Sequence, residues 1–115
     1  MKILITGGLG SMAQAIKKIL EQSSYIVFSP SRQEMDVTNE LQIKSIMKDF
    51  QPDILINNAG YIVPNSIMDI TLEEWDKHLK INLTGAFLCS REAILNGCQI
   101  IINIGSTSAF EGRAK

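Results

Sequence analysis

Short apolar runs and helix-spaced apolar positions alternate along this chain, and the alternation predicts its architecture. Ile3-Leu4-Ile5 is a continuous apolar run ended by Gly7 and Gly8, the pattern of a strand buried on both faces. Met12, Ile16, Ile19 and Leu20 then recur at helical spacing, with Gln14, Lys17, Lys18 and Glu21 on the other side. Tyr25-Ile26-Val27-Phe28 predicts a second strand, stopped at Ser29-Pro30. Ile43, Ile46, Met47 and Phe50 follow the spacing of a helix started by Thr38 or Asn39 as N-cap and stopped by Pro52. Ile54-Leu55-Ile56 is a third strand, ending in Asn57-Asn58-Ala59-Gly60. A loop over 61–70 carrying Pro64 leads to Thr71-Leu72-Glu73-Glu74, which reads as a capping box. That helix runs to about Asn96-Gly97, and Trp75, Leu79, Asn82 and Ala86 share one stripe of it, predicted to face the interior. Ile100-Ile101-Ile102 with Ile104 makes a fourth strand, followed by Gly105-Ser106-Thr107-Ser108.

Continuous apolar strands joined by helical crossovers predict an α/β fold, a doubly wound parallel sheet with helices on both faces. No repeat, low-complexity tract or linker divides the 115 residues, so 1–115 is read as one domain. A composition of 45% hydrophobic and 20% charged residues is that of a globular chain, which excludes disorder as the main state. A net charge of −1 gives no electrostatic reason to expect nucleic acid or an anionic membrane as partner. Cys89 and Cys98 are too few for a disulfide scaffold and too far apart for CxxC chemistry, so they read as small apolar fillers in a reducing compartment. No apolar run approaches the about 20 residues of a membrane span, and no signal peptide opens the chain; the expected location is cytoplasmic. His78, among charged neighbours on a helix, reads as a surface residue, and no metal site is expected.

The first turn carries the chemistry. Thr6-Gly7-Gly8-Leu9-Gly10-Ser11-Met12-Ala13 lies between strand and helix, written as Gly8-x-Gly10-x-x-Ala13 or Gly7-x-x-Gly10-x-x-Ala13. Either spacing lets a diphosphate approach bare backbone at a helix N-terminus, where free N–H groups and the positive dipole end favour anions. A small residue at Ala13 lets the helix pack closely on the strand. The plain alternative is a tight strand–helix turn. No GxxxxGK[ST] lysine follows, so a nucleoside-triphosphatase loop is disfavoured. At the end of the second strand, an acid would bind the ribose 2′-hydroxyl and repel a 2′-phosphate. Here the segment is Phe28-Ser29-Pro30-Ser31-Arg32, with no acid until Glu34, so NADP fits better than NAD, with Arg32 and either Ser29 or Ser31 contacting the phosphate.

Together these segments resemble the short-chain dehydrogenase/reductase family over nearly the whole chain. Asp36-Val37-Thr38 is similar to the family's segment whose acid hydrogen-bonds the adenine ring. Asn57-Asn58-Ala59-Gly60 resembles its NNAG segment, which supports the sheet and lines the ribose side of the cofactor. Asn82-Leu83-Thr84-Gly85-Ala86-Phe87 resembles the helix carrying a catalytic asparagine, and Asn103-Ile104-Gly105-Ser106 the strand end carrying the catalytic serine. The resemblance implies a Rossmann-like sheet in the order 3-2-1-4 with the fourth strand at an edge. It implies an oxidoreductase moving hydride between nicotinamide and a carbonyl or alcohol, a small-molecule substrate, and a homo-oligomer (dimer or tetramer). Thr6, Gly7, Gly8, Leu9, Gly10, Ser11, Met12, Ser31, Arg32, Asp36, Val37, Asn58, Ala59 and Gly60 are its cofactor-binding positions; Ser106 and Asn82 are its catalytic ones.

Two departures stand out. The main single-domain branch has TGxxxGxG, which would place glycines at Ser11 and Ala13. This chain has instead the TGxxGxxA form of the extended, nucleotide-sugar-modifying branch. Its compact Ser31–Thr38 stretch is also like that of reductases acting on deoxysugar nucleotides. An epimerase, dehydratase or reductase of that branch is therefore the alternative substrate class, and a non-catalytic dinucleotide-binding module the alternative function. The second departure concerns the family's tyrosine and the lysine four residues after it, which would fall just past Lys115. Tyr25 is followed at that spacing by Ser29 and Tyr61 by Asn65, while Glu111 stands four residues before Lys115. The chain is thus expected to be the first half of a reductase, inactive by itself.

Overall fold

The computed structural model describes residues 1–111; residues 112–115, including Lys115, lie outside the described residues. Along the chain run β1 (Lys2–Ile5), α1 (Ser11–Glu21), β2 (Ile26–Phe28), α2 (Glu40–Phe50), β3 (Ile54–Asn57), α3 (Leu72–Leu79), a π-helical turn (Lys80–Thr84), α4 (Gly85–Leu95) and β4 (Ile100–Asn103). The strands form one parallel sheet in the order β2-β1-β3-β4. This is the expected Rossmann-like fold with β4 at an edge, but β3 lies beside β1 rather than outside β2. The reason is local: the segment from Ser29 to Asn39 makes turns that bury Met35 and Val37, and it adds no strand beyond β2.

The sheet is covered on both faces because each strand is apolar on both. Ile3 and Ile5 of β1 and Ile56 of β3 cluster with Ala13 of α1. Leu4 and Leu55 face the other way, against Ile43 and Met47 of α2 and Cys89 and Ala93 of α4. Each of the fully buried aliphatic side chains among these contributes about 1.5–3 kcal/mol relative to exposure. Chain direction across the sheet reverses after β2, and the covering helix changes face with it, as right-handed crossovers demand. Helix boundaries follow side-chain chemistry. Asn39 caps α2 by accepting from the Gln42 N–H at 3.1 Å, and Gln51, in the left-handed region at φ 50°, ends it before buried Pro52. Thr71 and Glu74 close the expected capping box on α3. Gly97, at φ 94°, turns the chain out of α4.

One helical expectation fails. Trp75, Leu79 and Asn82 are exposed rather than interior, and α3 buries no residue; Gly85, Cys89, Glu92 and Ala93 of α4 do the packing. The inward side is one residue over: half-buried Glu74, His78 and Ile81 continue at ordinary helical spacing into buried Gly85, Cys89 and Glu92, which leaves the stripe through Trp75 about 100° away on the solvent side. The two cysteines are buried fillers as expected, and burial pushes the Cys89 thiol up to about 12, leaving it protonated and inert. Among the described residues, no helix is long and apolar enough to cross a membrane.

Candidate functional site

β1 and β3 are neighbours whose outgoing connections pass to opposite faces of the sheet, so a crevice opens between their carboxyl ends, the usual ligand position in such sheets. Thr6 joins the two strand ends. Its buried hydroxyl accepts from the N–H groups of Asn58 (3.0 Å) and Ala59 (2.9 Å), and its carbonyl accepts from the Asn58 side-chain amide (3.1 Å). This leaves the glycine turn lying against Ala59 and the end of β2. A Cβ on Gly7, which sits at φ 66°, would come within 2.9 Å of the Ala59 backbone, and one on Gly8 within 2.0 Å of the Ser29 carbonyl. Gly10 is different. Its backbone is extended, and a Cβ there would meet only the Gly7 carbonyl, at 3.3 Å. Two glycines therefore close the turn on the protein, and the third keeps its outer side bare.

Gly10 is also the N-cap of α1, with no side-chain cap and no acid in the first turn. Without side-chain caps, the leading N–H groups of that helix remain donors next to the turn that lines the crevice, an arrangement suited to an anion. Gln14 pins the turn by donating to the Gly8 carbonyl. Leu9, Ser11 and Met12 are exposed at the rim.

Beyond β2, Ser31 and Glu34 hold each other. The Ser31 N–H donates to the Glu34 carboxylate (3.0 Å), and the Glu34 N–H donates to the Ser31 hydroxyl (3.2 Å); these contacts with Ser31 lower the Glu34 pKa from its ordinary value. Arg32 is well exposed and pairs loosely with Asp36 at 3.9 Å. The Ser29 hydroxyl is buried beneath the turn with no partner, so of the two expected phosphate-contacting serines only Ser31 reaches the surface side. Partial burial works against the Asp36 charge, but hydrogen bonds from the Thr38 hydroxyl (2.7 Å) and N–H (2.8 Å), with Arg32 and Lys80 nearby, outweigh it and hold the carboxyl below its ordinary value.

Three hollows join along the strand ends. One of about 130 Å³ is lined by Gly7, Arg32, Asp36, Val37, Tyr61 and Ile81. It shares Gly7, Arg32, Ala59 and Gly60 with a second of about 400 Å³ over Leu9 and Gly10. That one shares Asn58, Ala59 and Gly60 with a third of about 540 Å³, which reaches His78, Asn82 and Ser106. Most of the expected site residues thus line one continuous crevice. Ser106 caps a short 3₁₀ turn (Thr107–Ala109) by accepting from the Ser108 N–H at 3.2 Å, which leaves its hydroxyl proton free to donate.

Asn82 grips the segment after β3. Its Oδ1 accepts from the Tyr61 N–H (2.8 Å) and its Nδ2 donates to the Tyr61 carbonyl (2.7 Å). Asn57 points elsewhere: it is buried against α4, donating to Ser90 Oγ (3.0 Å) and to Asn103 Oδ1 (2.8 Å). Tyr61 and His78 also line the crevice, though neither was among the expected site residues. Tyr61 forms a wall of two hollows, and His78, expected at the surface, is half-buried in the third with both ring nitrogens engaged. The available signal was spacing, since His78 precedes Asn82 by one helical turn.

Comparison with known proteins bears on all of this. The family described as "RmlD substrate binding domain" matches residues 1–115. An uncharacterized oxidoreductase of Thermotoga maritima is 39% identical over 85 residues, covering 66% of this chain and 33% of its own. A dTDP-4-dehydrorhamnose reductase of Clostridium acetobutylicum shares the fold with a TM-score of 0.74 at 31% identity, covering 87% of this chain and 34% of that one. The corresponding reductase of Bacillus anthracis, in complex with NADP, has a TM-score of 0.73 at 24% identity, a likeness of fold, covering 86% and 34%. The chain spans a third to a half of the length of its curated relatives, 33% in the Thermotoga case and 49% in a Staphylococcus aureus oxidoreductase.

Proposed function

The chain belongs to the RmlD substrate binding domain family, of the short-chain dehydrogenase/reductase type, and on that premise we propose that it forms the NADP-binding part of a reductase acting on the carbonyl of a sugar nucleotide. The observation that carries the reading is the row of adjoining hollows at the β1/β3 strand ends, running past a glycine turn that opens a helix with no side-chain cap. The residues present fit a dinucleotide. The turn from Gly7 to Met12 would hold the diphosphate through its remaining N–H groups, those of Gly8 and Gly10 being given to the Pro30 and Gly7 carbonyls; Asp36 and Val37 would hold the adenine, Ser31 and Arg32 the 2′-phosphate, and Asn58, Ala59 and Gly60 the second ribose. Bound nicotinamide would supply the hydride chemistry.

The chain's own part is orientation and polarisation. The free Ser106 proton would meet the substrate oxygen where negative charge develops. Asn82 would act by fixing Tyr61, with both halves of its amide committed to that residue. The tyrosine and lysine of the family motif do not occur within residues 1–115, so this segment alone is expected to bind nucleotide without turnover. The sugar-nucleotide class is supported by the TGxxGxxA turn, the compact loop after β2 and the likeness to the Clostridium reductase.

The decisive experiment follows NADPH oxidation by the full-length protein, offering a 4-dehydro sugar nucleotide beside simple ketones. Turnover of the ketones alone would reject the substrate class. Arg32→Ala should weaken NADPH at least about tenfold, a loss of about 1.4 kcal/mol, while leaving NADH nearly unchanged. Equal losses for both nucleotides would reject the phosphate assignment.

A further inference from the structure

His78 is the one histidine of the chain, and its two ring nitrogens have partners of fixed character. Nδ1 lies 2.6 Å from the Glu74 carbonyl oxygen, which can only accept. Nε2 lies 3.0 Å from the Val63 N–H, which can only donate. Only the neutral imidazole with its proton on Nδ1 satisfies both. The ring also packs edge-on against Tyr61, with centroids 4.9 Å apart, and the Lys77 ammonium lies 4.3 Å from the centre of that tyrosine ring. Tyr61 and Val63 are thus tied to one helix by Asn82 and His78, one turn apart, and Tyr61 separates the hollow beside Asp36 from the hollow that holds Ser106.

We propose that His78 is a positioning residue: its neutral imidazole clips the segment after β3 to the helix and so sets the wall between the two hollows, and its protonation releases that segment. A second ring proton would sit on Nε2 and oppose the Val63 N–H, donor against donor. Asn82 would still hold residue 61, so the segment would pivot there and open from Ile62 onward. The charged and titratable groups around the ring are Glu74 and Lys77 on its own helix and Tyr61 on the segment it holds. Glu74 is turned away to the Thr71 N–H and Asn65 amide, and the residues facing the ring's hollow from the β4 end, Ile104, Gly105, Ser106 and Ser108, carry no charge. Loosening in acid is therefore governed by the imidazole itself.

The consequence for nucleotide rests on the proposed function, whereas the clip itself does not, and the test separates them. In the full-length protein without nucleotide, NMR should show the Val63 amide following the His78 ring through one midpoint, with Val63 exchange about five- to tenfold faster once the ring is charged, the scale of one lost hydrogen bond. His78→Gln, which keeps an acceptor but cannot take up a proton, should hold Val63 protected at neutral and acid pH alike. His78→Phe should lose the protection even at neutral pH. A Val63 amide indifferent to the ring's titration, or equally protected in His78→Phe, overturns the clip. NADPH affinity should then fall as the ring takes up its second proton in the natural protein and stay level in His78→Gln. Equal loss in both overturns the coupling to the site, and absence of NADPH uptake at neutral pH rejects the functional reading while the amide data decide the clip.

Discussion

The three glycines of the first turn look alike in sequence but carry different loads. Gly8→Ala would drive a Cβ to 2.0 Å from a backbone carbonyl that belongs to the end of β2 and has nowhere to go, so it should destabilise the fold by about 3 kcal/mol in urea denaturation. Gly10→Ala meets nothing closer than 3.3 Å on an ordinary extended backbone, so it should fold normally yet take up nucleotide at least about tenfold more weakly, because the new methyl stands where phosphate would approach. A folded Gly10→Ala protein with undiminished uptake would remove the turn from the site. Asp36 offers a second residue-scale test. Its folded pKa is depressed, so it adds stability above its unfolded value near 3.9, and this is lost as pH falls through the folded value. Thr38→Ala removes the shortest contact holding that charge. The variant should be less stable by about 1 kcal/mol at pH 7, and the gap should close once pH has fallen below the depressed value of the folded Asp36 carboxyl. A gap that persists in acid would mean that Thr38 acts through packing instead.

At the scale of elements, strands and caps were legible because their signals are local. Ile3-Leu4-Ile5 and Ile54-Leu55-Ile56 have no polar face to offer solvent, Asn39 and Thr71 supply the oxygens their helices need, and each structure forms where the pattern put it. The π turn was not legible, since nothing in Lys80-Ile81-Asn82-Leu83-Thr84 differs from an ordinary helix sequence. What pays for its irregular ladder is a contact 21 residues away, the double hydrogen bond from Asn82 to Tyr61. The same reason hid Tyr61 and His78: both depend on which segments meet. Asn82→Ala tests the dependence. Losing both bonds should cost about 1–3 kcal/mol and speed hydrogen exchange at Tyr61, whereas exchange in α4 below the turn, anchored by buried Cys89 and Ala93, should barely change. Uniform acceleration along the whole helix would show that the turn is intrinsic to the helix sequence and not imposed by the loop.

For the molecule as a whole, the open feature is the face of β4. Its register places Ile100 and Ile102 beside Ile54 and Ile56, so they point to the α1 side of the sheet. There α1 covers β1, β2 and β3 but leaves Ile100 and Ile102 each 44% exposed, and Ile104 is 40% exposed just beyond. The outer edge of the same strand has no pairing partner among the described residues. A radius of gyration of 14.9 Å, where about 13 Å is usual at this length, and extents of 46 × 30 × 24 Å agree with a sheet whose end is uncovered. An apolar, unpaired edge strand is a template for a second chain. Residues 1–115 prepared alone are therefore expected to associate, seen by light scattering as a mass above 12.7 kDa that rises with concentration. Ile102→Lys should return the segment to the monomer mass, because the ammonium at the middle of the strand would be desolvated by any chain docking on that face. A steady 12.7 kDa species across a dilution series of the unsubstituted segment would show that β4 is protected in solution by some rearrangement of its own chain.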